Sequence, residues 1–325
     1  MNRFGDHFRI ALWGESHGPQ IGVVLDGVPA GIALSAEDFE PDLARRRSGT
    51  VGTTPRREAD IPQLAAGIYR GRTTGAPLVL EFANADARPQ DYTAAEGHDR
   101  PSHADRVAHE KFGGCNDPRG GGHFSGRLTV ALTAAGVVAK KMLPADVAFT
   151  TRLVEIGGCT EPAQFDEVLR RTAAEQDSVG GVVECRVQGV PTGTGAPFFD
   201  SVESVVAHLL FSIPGVKGVE FGDGFASARM RGSEHNDPIV DAAGTTATNH
   251  AGGIVGGIAN GNELIVRAAF KPTASIGRPQ LTYNRATGRI EPLVAGGRHD
   301  TCIALRGAVV VEAAVAIALA DLLDR

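Results

Sequence analysis

The sequence predicts an α+β fold arranged around two buried helices, and three observations carry that prediction. Ser125 to about Leu143 and Ile303 to Leu323 place apolar residues on every helical face, the pattern of helices enclosed by other structure. Short runs with strand-like alternation lie before and between them, separated by glycine-rich turns. A hydrophobic content of 42% in 325 residues suffices for a sizeable core. With aromatics at 6%, that core must be built mainly from Val, Leu, Ile and Ala.

Glycine supplies 42 residues without a collagen-like period, so it marks tight turns and close approaches of backbone to ligand. The net charge of −6 argues against a nucleic-acid binder. The 32 basic residues divide into five lysines and 27 arginines, and arginine suits bidentate recognition of carboxylate and phosphate. The four cysteines are dispersed with no CxxC pair, which predicts no metal site and free thiols in a reducing, cytoplasmic setting. No signal-peptide h-region opens the chain, and the apolar run Ala308–Ala320 is interrupted by Glu312 and too short to span a bilayer.

In chain order, Phe8–Trp13 and Gln20–Leu25 read as strands flanking the polar loop Gly14-Glu-Ser-His-Gly18. A histidine inside such a turn points to function at His17. Ser35 with Asp38 forms a capping-box variant, and Pro41 either kinks the following helix or starts it. That helix ends at Arg45-Arg46-Arg47, and Arg56-Arg57 follow. Five arginines in this short span suit either a polyanionic small ligand or a solvated surface. Leu78–Phe82 reads as a strand and Asp86–Gly97 as a loop. A short helix runs to Phe112 with His103 at its start, where the helix dipole would lower the imidazole pKa. Gly120-Gly-Gly-His-Phe-Ser-Gly-Arg127 opens the first buried helix, and an arginine there requires an anionic partner. Lys140 and Lys141 bring that helix to the surface.

Strands follow at Val147–Ile156, Val182–Val190 and Val216–Phe221, with helices at Pro162–Gln176 and Ser201–Phe211. Gly232–Ala251 is polar and aperiodic, as a lid or binding loop would be. Gly252–Gly261 lacks the GxGxxG spacing of a dinucleotide loop. Glu263–Phe270 reads as a strand ending in Lys271-Pro-Thr-Ala-Ser275, a phosphate cradle without a Walker signature. Gly296-Gly-Arg298-His-Asp300 then opens the second buried helix. The echo of the first opening suggests two central helices packed together, each opening onto a site.

Seven segments taken in order resemble the signature of chorismate synthases: Gly14–Gly18, Asp26-Gly-Val-Pro29, Arg100-Pro-Ser-His-Ala-Asp105, Ser125-Gly-Arg127, Asn249-His-Ala-Gly-Gly253, Lys271–Ser275 and Arg298-His-Asp300. The resemblance runs from Phe4 almost to the C-terminus and implies one domain over 1–325. It implies two antiparallel sheets flanking the central helices, and a homotetramer. The implied reaction is an anti-1,4-elimination of phosphate from 5-enolpyruvylshikimate 3-phosphate to chorismate, in the shikimate pathway of aromatic amino acid biosynthesis. Reduced FMN is the implied cofactor; its reductant is either an external reductase or NADPH used directly, and with no added reductase domain evident in the sequence, reduction from outside is the expectation. His17, His103 and Asp300 are the implied catalytic residues. Ser16, Arg46, Arg100, Arg127 and Arg298 would meet substrate. His123, Phe124, Ser125, Pro214, Gly215, Gly256, Lys271, Pro272, Thr273, Ala274, Ser275 and Arg298 would hold FMN. His123 stands where many members have arginine. Alternatives of other classes are a flavin-dependent oxidoreductase acting on a polyanionic small molecule, and a non-catalytic polyanion or RNA binder using Arg45–Arg57.

Overall fold

A computed structural model describes residues 2–56, 58–86, 97–295 and 299–323. The strands are β1 (Arg3–Phe4), β2 (Arg9–Gly14), β3 (Gln20–Asp26), β4 (Gln63–Ala66), β5 (Ile68–Tyr69), β6 (Arg72–Thr73), β7 (Leu78–Ala83), β8 (Ala148–Ile156), β9 (Gly181–Gln188), β10 (Val216–Phe221), β11 (Ile254–Val255), β12 (Ile258–Ala259), β13 (Leu264–Phe270), β14 (Gln280–Asn284) and β15 (Arg289–Leu293). The helices are α1 (Glu40–Arg46), α2 (Asp105–Lys111), α3 (Thr129–Met142), α4 (Phe165–Ala174), α5 (Val202–Ser212), α6 (Gly232–His235) and α7 (Ala304–Leu323).

Two antiparallel sheets form the outer layers, one ordered β1-β2-β3-β7-β4 and the other β10-β13-β9-β8. Strand alternation sets which face each sheet buries. Leu78, Leu80 and Phe82 of β7 and Val183, Cys185 and Val187 of β9 are fully buried. Between the sheets lie α3, packed on β2, β3 and β7, and α7, packed on β8, β9 and β13. Both helices are apolar all round because neither has a solvent face. They touch at Gly136, where a methyl group would overlap Ala313, so glycine sets how closely they pack. No helix among the described residues is long and apolar enough to cross a membrane.

The two acidic residues of α7 are buried with partners. Asp321 accepts hydrogen bonds from the backbone N–H groups of Asp6, His7 and Phe8 at 2.7–3.0 Å, closing the N-terminus over the helix end. Glu312 meets both Nη atoms of Arg45 (2.9 and 2.7 Å) and Lys140 Nζ (2.5 Å), and Asp42 joins Lys140 at 2.7 Å. Lys140 is therefore no surface marker: it ties α3 to α1 and α7. Burial works to raise the Glu312 pKa, but Arg45 and Lys140 outweigh it and bring it down to about 2.

Pro41 opens α1 at its first turn, after the capping box in which Ser35 N–H donates to Asp38 at 2.8 Å. The sequence reading overlooks β4, β5, β6 and the β14–β15 hairpin, whose short polar strands lack a clear alternation. The stretch 232–251 contains α6 and is tied down by Asp237, which accepts from the N–H groups of His250 and Ala251 at 2.8 and 2.9 Å.

Folding favours the ionised form of Glu312, because its pKa lies below the ordinary value of 4.5. That stabilisation is complete above about 4.5 and is lost as pH falls towards 2, a contribution of roughly 3 kcal/mol. Urea unfolding between pH 7 and 2.5 should show Glu312→Gln less stable at neutral pH and flatter across that acid window. Parallel curves for the two proteins would show that Glu312 does not carry the effect.

Candidate active site

The N-terminal ends of α3 and α7 open on one cavity of about 740 Å³, within the roughly 300–1,000 Å³ of small-molecule sites. The C-terminal end of α1, the α5–β10 turn, the segment after β13 and the loop before α2 complete its wall. The two helix openings singled out in the sequence thus meet at a single place. Nine arginines and lysines line the cavity against three carboxylates, which selects for an anionic ligand.

Most of these arginines are braced by carboxylates from their own chain. Arg46 and Arg127 share Asp60: Arg46 Nη1 lies 2.9 Å from Asp60 Oδ2, and Arg127 Nη1 pairs with Oδ1. All three are buried, with exposures of 1%, 6% and 4%. Arg46 also donates to Thr129 Oγ1 and to the carbonyls of Gly126 and Arg127 at 3.1 Å each, which secures the turn leading into α3. Arg127 Nε donates to Asn84 Oδ1 at 2.9 Å. Burial alone would raise the Asp60 pKa, but Arg46 and Arg127 hold it below the usual carboxylate value. Burial and the nearby Arg306 push the Arg46 pKa down, opposed by Asp60.

Asp60 has no motif around it, and its φ of +52° is a conformation that Asp and Asn tolerate better than most residues. Sequence reading misses it for that reason. It also misses Arg306, which lines the cavity from the first turn of α7, donates through Nε to Arg46 O at 2.9 Å and pairs with Asp300 at 3.2 Å. An arginine at the start of an apolar helix was already the clue at Arg127 and applies equally here.

Arg100 grips Asp105 with Nε and Nη2 at 2.7 and 2.8 Å, and its Nη1 donates to Ser275 at 3.1 Å. His103 Nδ1 stands 2.6 Å from Asp105 Oδ1. That short contact places a proton on Nδ1, donated to the carboxylate, and leaves Nε2 for a ligand. Burial works to raise the Asp105 pKa, but the bonds from Arg100 and His103 outweigh it and hold the group well below the carboxylate range. The helix itself starts at Asp105, so His103 faces a carboxylate rather than a bare helix N-terminus.

The glycine loop positions both histidines. Gly120 (φ +57°) packs on the His17 ring, where a methyl group would overlap it. Gly121 (φ +85°) packs on the other side against His103, whose Nε2 would lie 3.3 Å from an added methyl. His123 Nδ1 is committed to Gly14 O at 2.7 Å, and Ser16 N–H donates to Gly122 O at 3.1 Å. His123 thereby ties two loops together. Ser125 Oγ caps the next turn by accepting from Arg127 N at 3.3 Å.

The cavity wall includes Ser16, Arg46, Arg100, His103, His123, Phe124, Ser125, Arg127, Pro214, Gly215, Lys271, Pro272, Thr273, Ala274, Ser275 and Asp300. His17 lies behind Gly120, buried and off the wall. Gly256 turns between β11 and β12 by the far end of α5, away from the cavity. Arg298 and Arg57 fall outside the described residues. The arginine-rich stretch is internally neutralised rather than a free positive field: Arg45 pairs with Glu312, Arg47 with Glu40 and Arg56 with Glu58. Among the described residues no acidic, histidine and cysteine group could hold a metal ion, and none of the stretch 232–251 lines the cavity.

A family model described as "Chorismate synthase" matches residues 8–323. The chain is 55% identical over 321 residues to the chorismate synthase of Chitinophaga pinensis, covering 99% of this chain and 96% of that one. It is 43% identical over 349 residues to that of Opitutus terrae, covering 98% and 96%. It is similar to a crystal structure of a chorismate synthase with a TM-score of 0.76 and 26% identity, covering 98% of this chain and 92% of the other.

Asp60→Asn keeps a side chain that accepts φ +52° and removes the charge shared by two buried guanidiniums. It should cost about 3 kcal/mol in chemical unfolding. A loss under about 1 kcal/mol would mean that Arg46 and Arg127 do not depend on it.

Proposed function

The chain belongs to the chorismate synthase family and is a carbon–oxygen lyase, and from that premise we propose that it eliminates phosphate from 5-enolpyruvylshikimate 3-phosphate to give chorismate, with reduced FMN as cofactor. The observation that carries this reading is the wall of carboxylate-braced arginines around one cavity, with an oriented histidine among them. Two carboxylates and a phosphate on the substrate need several fixed donors, and bracing keeps the guanidiniums in place before the ligand arrives.

The residues present also suit a flavin mononucleotide. Phe124, Leu132, Leu209, Ile303 and Val310 supply apolar wall for a flat ring system, and Lys271 supplies a cation for its phosphate. In the reaction the C3–O bond to phosphate breaks and C6 loses a proton. The electron pair left at C6 completes the new diene, so no net redox change occurs. When bound, reduced flavin supplies electron density that helps phosphate depart and a nitrogen base for the C6 proton.

The chain's own groups do the rest. Arg46, Arg100, Arg127 and Arg306 orient the anionic ends. His103 presents Nε2 to the leaving or enolpyruvyl side. Asp300 is held by Thr54 N–H at 2.8 Å and by Arg306, and assists removal of the C6 proton. His17, buried behind Gly120 beside Ser16, would hold the proton that a bound cofactor receives. The same reading carries a role in aromatic amino acid biosynthesis, a cytoplasmic homotetramer and one domain over 1–325. A continuous core from Phe8 to Leu322 supports the last. Exposed Phe198, Phe199, Phe225, Ile239 and Val240 are apolar surface that further copies could cover.

An anaerobic assay with chemically reduced FMN should release phosphate and chorismate in equal amounts without net use of reductant. Failure to release phosphate overturns the reading, and NADPH consumed in step with product would favour an oxidoreductase. His17→Ala and His103→Ala should each lower turnover by about 10² to 10⁴. Wild-type rates in either variant would remove that residue from the mechanism.

A further inference from the structure

The loop Gly14–Gly18, which carries Ser16 and His17, is held in place by side chains from outside it. Within the loop, Gly18 N–H donates to Glu15 O at 3.1 Å. Its other ties are long-range. Gly14 O accepts from His123 at 2.7 Å and Ser16 O from Arg56 at 3.4 Å. Glu15 O and Gly18 O both accept from Asn84 Nδ2, at 3.1 and 2.8 Å. Asn84 is the residue just past β7, whose last ladder pair is Ala83 with Gln20, so the antiparallel register brings it beside the β2–β3 loop. Its N–H donates to Pro19 O at 3.1 Å and extends that ladder by one bond.

The other end of the same amide faces an arginine of the cavity. Asn84 Oδ1 accepts from Arg127 Nε at 2.9 Å, and Arg127 Nη2 adds a bond to Ala83 O at 3.3 Å. Two carbonyl oxygens on one side and a guanidinium N–H on the other require a group that both donates and accepts. A carboxamide does both, whereas a carboxylate only accepts. The same partners fix which way the amide points, since the reverse would set NH2 against a guanidinium and oxygen against two carbonyls. His17 is 8% exposed and lies against Gly120, so the place of its ring is set by where the loop sits.

We propose that Asn84 is a positioning residue of the active site: it fastens the His17 loop to Arg127, so that the imidazole and the guanidinium keep one relative placement. Asn84 stands off the cavity wall and acts through these two groups. The inference rests on the reading of His17 and Arg127 as groups of the active site.

The test compares the full-length wild type with Asn84→Leu and Asn84→Asp, which are close to asparagine in size and cannot donate to the two carbonyls. In Asn84→Asp the new carboxylate lies beside Arg127 and stays ionised. The first readout is the rate at which diethyl pyrocarbonate modifies His17, followed by peptide mass spectrometry, with partly buried His98 and exposed His109 as internal controls. Modification of a buried imidazole follows local opening. Loss of these hydrogen bonds should speed His17 modification about tenfold in both variants, with His98 and His109 within about twofold of the wild type. The second readout is kcat for phosphate release, which should fall about tenfold in both. An unchanged His17 rate overturns the proposal, as does a rise shared by all three histidines, which would mark general loosening. A wild-type kcat in either variant also overturns it; in Asn84→Asp alone, it would mean that the bond to Arg127 is the one that matters. If the wild type releases no phosphate, the proposed reaction fails, and the His17 rates still decide whether Asn84 holds the loop.

Discussion

A cavity built to hold polyanions must remain folded when no anion is in it, and that constraint shapes this structure. Several guanidiniums facing one enclosed space repel one another and lose hydration. The chain answers with its own carboxylates: Asp60 between Arg46 and Arg127, Asp105 on Arg100, Asp300 on Arg306 and Glu58 on Arg56. Each leaves its arginine charged and fixes its direction. The wall therefore has donors in place before a ligand arrives, which lowers the cost of ordering them on binding.

The same carboxylates join the fold to the site. Arg46 reaches from the end of α1 to the carbonyls that lead into α3, and Arg306 reaches from α7 back to Arg46 O. Farther along, Glu312 fastens Arg45 and Lys140, so α1, α3 and α7 are also clamped away from the cavity. The glycine loop adds a steric constraint. With His17 on one side, Gly120 leaves no room for a side chain, and on the other a methyl group at Gly121 would press on His103 at 3.3 Å. Two histidines from distant parts of the chain are thereby held about a single turn of backbone.

Much of this was legible without coordinates, because it depends on local pattern. The central helices are recognisable by apolar residues on every face, and Pro41 and Ser35 mark the entry to α1 through their own backbone chemistry. The loops with Ser16, His103, Ser125 and Lys271 stand out as polar, glycine- or proline-bounded interruptions between regular elements. Arg45 to Arg47 were harder to read. A run of arginines looks the same in sequence whether water, a ligand or a distant carboxylate neutralises it, and here Glu312, Asp60 and Glu40 do so. Lys140 misleads for the same reason.

The sequence by itself determined the α+β class, the two enclosed helices and the glycine loop, which follow from periodicity, capping and turn preference acting over a few residues, while its resemblance to a family pointed to a share of the residues on the cavity wall. Only the tertiary structure decided which charges meet. Asp60 lies 14 residues from Arg46 and 67 from Arg127. Charge pairing depends on distance in space and on exclusion of water, and neither is encoded in any short stretch of chain.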